Sequence, residues 1–360
     1  MLVNYYISDM KFLAITAFCD RCDRYRRRNL TATLANNLKV FPEATFCVAE
    51  QNPTGWFDTL NMDPEQVHHV TVDIDGPFCK TKLLNAAIEA VPDADVIVMV
   101  DGDVYLNDMV VNYIRNHWND GSLVFPYSEA VYLKETDTRL IVGGKPLLPG
   151  PKDHGVTIDR QTGLCNVFTR RTWERIGRYD ESFTGWGAED DAFLTKCRRL
   201  VGPIKRSREP GCTAYHLFHP VVNTEDYLKK SPLYLANRVR QACIRRMGDD
   251  DMERYVAGKS SLDDLVEKYR AMGRLEVSLE WQCTPRAVLH MDTTIYDVDR
   301  TGEMSFTKVM KAIEAEDRAE YCVTFIDDIL LRLNDLSPVQ LDEIMGLRKH
   351  YEEIADAVQS

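Results

Sequence analysis

Residues 96–106 read VIVMVDGDVYL, an apolar and largely β-branched run that leads into two carboxylates, Asp101 and Asp103. A continuous apolar run of this length predicts a strand buried on both faces, in the middle of a parallel sheet. Acidic residues at the carboxyl end of such a strand lie where open α/β sheets bind ligands. Residues i and i+2 of an extended chain point to the same side, so the two carboxylates are expected to hold one divalent cation and, through it, phosphates. An ordinary acidic turn is the alternative that this stretch leaves open.

Composition excludes several classes of protein. The chain has 360 residues, of which 44% are hydrophobic and 28% are charged, as in a globular protein of one large or two medium domains. Its net charge of −12 argues against nucleic acid as a partner. No apolar run approaches the roughly 20 residues of a transmembrane span, and residues 1–12 lack a secretory signal pattern. We therefore expect a cytoplasmic protein with reduced cysteines; peripheral membrane contact and the oligomeric state stay open.

Strands and helices alternate in the first part of the chain. The predicted elements are strands over 12–18, 45–49 and 67–74 and helices over 23–40, 80–91 and 108–118. This order is the pattern of a doubly wound α/β sheet. Residues 127–162 are rich in Gly, Pro and Lys and are expected to form hairpins and a long loop.

The pattern becomes helical after about residue 225. Helices are expected over 227–246, 261–272 and 337–358. We therefore divide the chain into an α/β domain over 1–225 and a mainly helical C-terminal extension of unknown role over 226–360.

Three further motifs point to chemistry. Residues 185–191 read GWGAEDD, and a helix dipole explains three acids at a helix start but not a Trp between two glycines. An aromatic face beside carboxylates suits a sugar ring. His216, with His219 close behind, could complete the coordination of a cation held by carboxylates. Residues 80–85, KTKLLN, give a basic helix start that leads to the central strand.

Six motifs occur in a fixed order along about residues 12–220. They are Phe18-Cys-Asp-Arg21, Lys82-Leu-Leu-Asn85, Asp101-Gly-Asp103, the run GLCNVFTRRTWERIGRYDESF from Gly163 to Phe183, Trp186-Gly-Ala-Glu-Asp190, and His216. In this order they resemble the GT-A glycosyltransferases, above all the branch with the β-1,4-galactosyltransferases, the chondroitin polymerase domains and the polypeptide GalNAc-transferases. Ala188 stands where that branch often has Gly.

The resemblance implies the GT-A fold, a Rossmann-like α/β fold with a mixed, mostly parallel central sheet flanked by helices. It also implies a role for each matching residue. The residues expected to bind the nucleotide-sugar are Phe18, Arg21, Lys82, Asn85, Asp101, Gly163 and Trp186. Asp103 and His216 would ligate Mn²⁺ or Mg²⁺, with Asp101 as a further ligand and His219 as the alternative to His216. Glu189 would orient the acceptor and Asp190 would be the general base.

The chemistry of the residues agrees with these roles. A divalent cation stabilises a diphosphate leaving group, and a carboxylate on the opposite side can take the proton of an acceptor hydroxyl. The Glu-Asp form at Glu189 and Asp190 favours inversion, because the retaining relatives usually carry Glu-Asn. The sequence therefore predicts a metal-dependent, inverting hexosyltransferase that uses a UDP-sugar and acts on a glycan, glycolipid or other glycoconjugate.

Two other functions fit parts of the pattern. The stretch DGDVYL also resembles the nucleophile motif of haloacid-dehalogenase-like phosphatases, although Tyr105 stands where Thr or Val is expected and about 90 residues precede the motif. A non-catalytic nucleotide-sugar binder is the second alternative, against which the intact set of acidic residues and His216 argues.

Overall fold

The chain divides into two compact units, Met1–Leu265 and Val266–Ser360. This computed structural model describes residues 10–20, 23–145, 155–158, 162–220, 232–272, 287–291, 294–298 and 349. The first unit contains the α/β sheet and continues past residue 225, where the sequence suggests a domain boundary.

The described strands and helices are numbered here in chain order. The strands are β1 (Phe12–Phe18), β2 (Thr45–Gln51), β3 (Val67–Val72), β4 (Val96–Val100), β5 (Val104–Leu106), β6 (Leu123–Phe125), β7 (Glu129–Leu133), β8 (Gly155–Ile158), β9 (Cys165–Thr169), β10 (Ile204–Arg206), β11 (Thr213–His216), β12 (Ala287–Met291) and β13 (Thr294–Val298). The helices are α1 (Arg24–Val40), α2 (Lys80–Ala90), α3 (Asp108–His117), α4 (Glu135–Val142), α5 (Arg170–Arg175), α6 (Glu189–Leu200), α7 (Pro232–Arg246), α8 (Asp249–Val256) and α9 (Leu262–Ala271), with a 3₁₀ turn at Phe57–Leu60.

A seven-stranded sheet with the order β10-β6-β9-β4-β1-β2-β3 forms the core. All its pairings are parallel except those of β9, which runs antiparallel to both β4 and β6. Every residue of β4 is buried, as expected for a strand covered on both faces. The prediction of an α/β fold with a mixed, mostly parallel sheet flanked by helices is confirmed.

The stretch that begins with β4 contributes to two sheets. The chain turns at residues 101–103, where the amide of Val104 donates to the carbonyl of Asp101 at 2.9 Å. Strand β5 then joins a four-stranded sheet of order β5-β11-β7-β8. The expectation that Asp101 and Asp103 point to one side rested on an extended chain, and the turn removes that premise.

Some elements differ from the expectations for the second half of the chain. The region 127–162 contains the antiparallel pair β7 and β8 but also helix α4, which the Gly and Pro content did not suggest. Helices α7 and α9 lie where helices are predicted, whereas β12 and β13 form an antiparallel pair inside the predicted helical extension. The predicted helix over 337–358 falls outside the described residues, apart from 349.

Helix α2, which starts at the strand ends, is anchored at its other end by Arg170. The Arg170 guanidinium donates to the carbonyls of Ile88 at 3.0 Å, Val91 at 2.6 Å and Ala94 at 2.8 Å. A cation that donates to the free carbonyls at a helix C-terminus also interacts favourably with the helix dipole. Arg170 therefore fixes α2 against the sheet.

Replacement of Arg170 is expected to destabilise the fold. Arg170→Ala leaves three carbonyls without this charged donor, so we expect a loss of about 2 to 3 kcal/mol in the free energy of unfolding, measured by urea denaturation. The matched control is Arg171→Ala, because Arg171 is exposed, and we expect a change within about 0.5 kcal/mol. Equal effects of the two substitutions would contradict this role.

Candidate active site

The first cluster at the site joins Asp103 to two histidines. The Nε2 atoms of His216 and His219 lie 3.5 and 3.3 Å from Oδ2 of Asp103. Among the described residues, the ligand atoms of these three side chains form a group in which all lie within 4.8 Å of one another. The register of β11 against β5 pairs His216 with Val104, which places the imidazole beside Asp103. One carboxylate and two imidazoles are a donor set that suits Mn²⁺, so the residues fit the predicted metal.

Electrostatics keep Asp103 ionised. Burial raises the pKa of Asp103, but the neighbouring His216 and His219 outweigh burial, so that the pKa lies well below its usual range. Tyr132 on β7 stacks on His216 with ring centroids 4.5 Å apart, which orients the imidazole. Burial raises the pKa of Tyr132 to about 12, and Asp101 and Asp103 act in the same direction.

The second cluster joins Asp101 to Asp190 through Lys80. The Nζ atom of Lys80 lies 2.9 Å from Oδ1 of Asp101 and 3.4 Å from both carboxylate oxygens of Asp190. The other oxygen of Asp101 accepts from the amide of Leu164 at 3.2 Å. Protein groups thus engage both oxygens of Asp101, whereas the carboxylate of Asp103 faces the histidines.

The acids at the start of α6 are hard to ionise. Burial raises the pKa of Asp190 to about 8; Lys80 lowers it, and Glu189, Asp101 and Asp191 raise it. Burial also raises the pKa of Glu189, which Lys80 opposes. A carboxylate that gains a proton near neutral pH has the property that a general base requires.

Gly163 lies beside both carboxylates of the second cluster, Asp190 and Asp101. A Cβ atom at Gly163 would lie 2.8 Å from Oδ2 of Asp190 and 3.8 Å from Oδ2 of Asp101. The Gly163 carbonyl accepts a hydrogen bond of 2.7 Å from the Tyr127 hydroxyl. The absence of a side chain therefore lets Asp190 approach the end of β4.

The Trp186 side chain is half exposed, at 50%, in the loop before α6. Its ring stacks on Tyr234 of α7, with centroids 5.3 Å apart and planes 20° apart. Gly187 has a φ of +98°, and a Cβ there would lie 2.8 Å from the Tyr234 ring, so both conformation and space favour glycine. The amide of Asn237 also donates to the carbonyl of Thr184 at 2.9 Å. Helix α7 thus supports the loop that presents Trp186.

Two residues predicted to bind the nucleotide have protein partners. Phe18 is buried at the end of β1 and packs on Trp56, with ring centroids 5.7 Å apart. The Asn85 amide donates to the carbonyl of Tyr179 at 3.0 Å and to Glu181 at 2.9 Å. The carbonyl oxygen of Asn85 accepts from the Trp173 indole and the Tyr179 amide, each at 3.1 Å. These four bonds use the hydrogen-bonding capacity of Asn85, which favours a supporting role under the site.

Lys82 and Arg21 complete the predicted nucleotide set. Lys82 is partly exposed on α2, and Arg21 lies outside the described residues. The roles of both in nucleotide binding stay predictions.

Sequence reasoning missed two residues of the site. It assigned a role to Lys82 but none to Lys80, although Lys80 lies in the same motif at the first position of α2, where a side chain reaches the strand ends. It did not select Tyr132, which lies in the region read as a loop. Away from these clusters, it also passed over Glu50, which pairs with Phe18 across β1 and β2. One carboxylate oxygen of Glu50 contacts His69 at 2.9 Å, and the other is buried with no hydrogen-bond partner among the described residues.

Residues 156–220 match the family model described as the N-terminal domain of galactosyltransferase. This segment is galactosyltransferase-like. The match bears out the resemblance found in the sequence for the segment that contains Gly163, Trp186, Glu189, Asp190 and His216. No curated protein matches the chain by sequence.

Several solved structures are similar to this chain at low sequence identity and at TM-scores below 0.5. A fragment of TarS from S. aureus shares 15% identity at a TM-score of 0.42, over 76% of this chain and 77% of that chain. GalNAc-T7, solved with UDP, GalNAc and Mn²⁺, shares 12% identity at a TM-score of 0.48, over 76% of this chain and 55% of that chain. A mutant of the Drosophila β-1,4-galactosyltransferase 7, solved with manganese, UDP-Gal and xylobiose, shares 16% identity at a TM-score of 0.39, over 71% and 84%.

Within the described ranges, none of the helices has both the length and the apolar character that crossing a membrane requires.

The Asp103 cluster is expected to bind Mn²⁺ through both histidines. Asp103→Ala should abolish binding, and His216→Ala and His219→Ala should each weaken it by at least about tenfold, as measured by isothermal titration calorimetry. The control is His117→Ala on α3, whose imidazole pairs with Asp120 at 2.7 Å. Binding that survives one of the two histidine substitutions unchanged would remove that histidine from the ligand set.

Ala188, just before Glu189, is expected to be a strained position. Its φ of +73° is left-handed, which costs a non-glycine residue about 1 to 2 kcal/mol. Glycine loses about 0.5 to 1 kcal/mol more backbone entropy on folding. Ala188→Gly should therefore raise the free energy of unfolding by about 0.5 to 1 kcal/mol, and Ala188→Val should lower it, both measured by chemical denaturation. A stabilising Ala188→Val would refute the strain.

Proposed function

We propose that this protein is a metal-dependent, inverting glycosyltransferase. In this reaction a sugar moves from a UDP-sugar to a hydroxyl of a glycan, glycolipid or other glycoconjugate. The observation that carries the proposal is the placement of two different groups at one end of the sheet. Asp103 faces two imidazoles, and Asp101, two residues earlier, is joined through Lys80 to Asp190.

The Asp103 cluster is the donor side of the proposed site. Asp103, His216 and His219 would hold Mn²⁺ or Mg²⁺, which when bound offsets the negative charge of the diphosphate leaving group. Tyr132 holds the His216 ring in place by stacking. The acidic DxD turn therefore needs no basic surface to accept a diphosphate, in keeping with the net charge of −12.

Asp190 is the proposed general base. Its carboxylate takes the proton of the acceptor hydroxyl while the hydroxyl oxygen bonds to the anomeric carbon, and the bond from that carbon to the diphosphate oxygen breaks with its electron pair on UDP. One displacement of this kind inverts the anomeric centre. Glu189, the preceding residue, is proposed to orient the acceptor, and the exposed face of Trp186 is proposed to support a sugar ring.

The match to the galactosyltransferase family model over 156–220 favours this function over a phosphatase. A phosphatase of the haloacid dehalogenase type would use Asp101 as its nucleophile, and nothing in such a reaction calls for the Asp103, His216 and His219 cluster. Assay of a generic phosphoester should therefore release no phosphate.

The first test is a panel of UDP-sugars and other nucleotide-sugars with Mn²⁺, with release of the nucleotide as the readout. We expect release from at least one donor by the unmodified protein and none after Asp103→Ala. Failure of every donor would contradict the proposal, and it would leave the non-catalytic binder as the better interpretation.

The second test addresses the base. Asp190→Asn should lower the rate of transfer by about 10² to 10⁴, because the amide cannot accept the proton, while binding of UDP and Mn²⁺ is kept. Asp191→Asn is the matched control on the same helix, because Asp191 contacts Thr162 at 3.1 Å and Arg238 at 3.9 Å rather than Lys80. Near-normal transfer by a folded, metal-binding Asp190→Asn variant would show that another group is the base.

A further inference from the structure

Lys80 occupies a position between the two halves of the proposed site. It is the first residue of α2, and its side chain is 12% exposed. Its Nζ atom makes the 2.9 Å contact with Asp101 and the two 3.4 Å contacts with Asp190. One ammonium therefore ties the end of β4 to the start of α6.

The surroundings of Asp190 otherwise oppose a negative charge. Lys80 is one of several titratable groups that interact electrostatically with Asp190. The others are Asp101, Tyr127, Tyr132, Tyr179, Glu189 and Asp191. All are acids, and burial raises the pKa of each of the three tyrosines, so none supplies a positive charge. Among the described residues, Lys80 is the cation in contact with the Asp190 carboxylate.

The geometry points to Lys80 as a positioning residue that draws the base Asp190 into its ionised form and holds it in line with Asp101. This inference rests on the proposed function, because it assigns to Asp190 the role of base.

Helix geometry separates Lys80 from Lys82. Positions two residues apart on an α-helix are separated by about 200° around the helix axis, so the two lysines leave α2 on different sides. Lys80 points to the carboxylates, whereas Lys82 remains partly exposed. Lys82→Met is not a neutral comparison, because Lys82 is itself expected to bind the nucleotide-sugar. The comparison for Lys80→Met is Lys39→Met, which removes the same charge at an exposed position in the last turn of α1.

The pH dependence of transfer tests the inference. In the unmodified protein the rate should rise with pH as Asp190 ionises and level off above about 8, which is the raised pKa of Asp190. Lys80→Met should move this midpoint upward by at least about one pH unit, which lowers the rate at pH 7 about tenfold. Lys80→Arg should return the midpoint most of the way to its original value because it keeps the charge, and Lys39→Met should leave the midpoint unchanged.

Binding of UDP with Mn²⁺ separates this role from a direct contact with the donor. A positioning role predicts that Lys80→Met keeps the affinity for UDP and Mn²⁺, measured by calorimetry. An unchanged pH midpoint together with a loss of UDP affinity would overturn the inference and make Lys80 a donor ligand.

A double-mutant cycle in stability tests the same contact without activity. The pKa of Asp190 is higher in the folded protein, about 8, than in the unfolded chain. The protonated Asp190 therefore contributes its full stabilisation at pH values below the unfolded pKa, and this contribution is lost as the pH rises through about 8. The Lys80 contact with ionised Asp190 therefore matters only at the alkaline end. Lys80→Met and Asp190→Asn should couple at pH 9 and act additively at pH 6.

The outcomes distinguish the inference from the proposed function. Additive effects at both pH values would overturn the role of Lys80, even if transfer is observed. Absence of nucleotide release by the unmodified protein would overturn the proposed function, and coupling at pH 9 would then still support the link from Lys80 to Asp190. If Lys80→Met alone does not fold, Asp101→Asn is added to it, because Lys80 also pairs with Asp101 at 2.9 Å. Further recovery of folding on adding Asp190→Asn supports the inference, and no further recovery contradicts it.

Discussion

Strand β9 runs antiparallel between β4 and β6, and the arrangement of the site depends on this one pairing. Because Val100 pairs with Cys165, the residue after β4 meets the residue before β9, and the amide of Asp101 donates to the carbonyl of Leu164 at 2.9 Å. Leu164 has a left-handed φ of +67°, which turns its own amide toward the Asp101 carboxylate. A parallel strand at this place would bring its other end to Asp101, and Gly163 would then lie away from Asp190.

A second constraint is electrostatic. The site concentrates several carboxylates in a largely buried space, an arrangement that costs free energy unless cations offset the charge. Lys80 is the cation beside Asp101 and Asp190, whereas Asp103 faces two imidazoles that would hold a metal cation with it. The two carboxylates of the DxD turn therefore have different partners, which separates them into distinct chemical roles although they are two residues apart.

The local elements could be read from the sequence because their signals are local. The apolar run of β4 and the helix that begins at Glu189 both lie where the pattern indicates. The divided roles of Asp101 and Asp103 could not be predicted, because they depend on a turn between two sheets and on the register of β11. Sequence spacing also could not decide whether His216 or His219 is the metal ligand, because both imidazoles lie within 3.5 Å of Asp103. Lys80 was overlooked because a lysine at a helix start is usually solvated, and only tertiary packing buries it here.

Helix α7 lies beyond residues 156–220, yet it covers one face of Trp186 and approaches the backbone at Gly185 and Gly187. The surface next to the tryptophan is thus assembled from a stretch of chain that the family pattern does not constrain. Leu233 and Tyr234 belong to this helix, whereas the ends of β4 and β9 form the chemical centre. The centre and the rim beside Trp186 are therefore built from separate stretches of the chain, so a graft that replaces α7 would alter the rim and leave the carboxylates on their own strands.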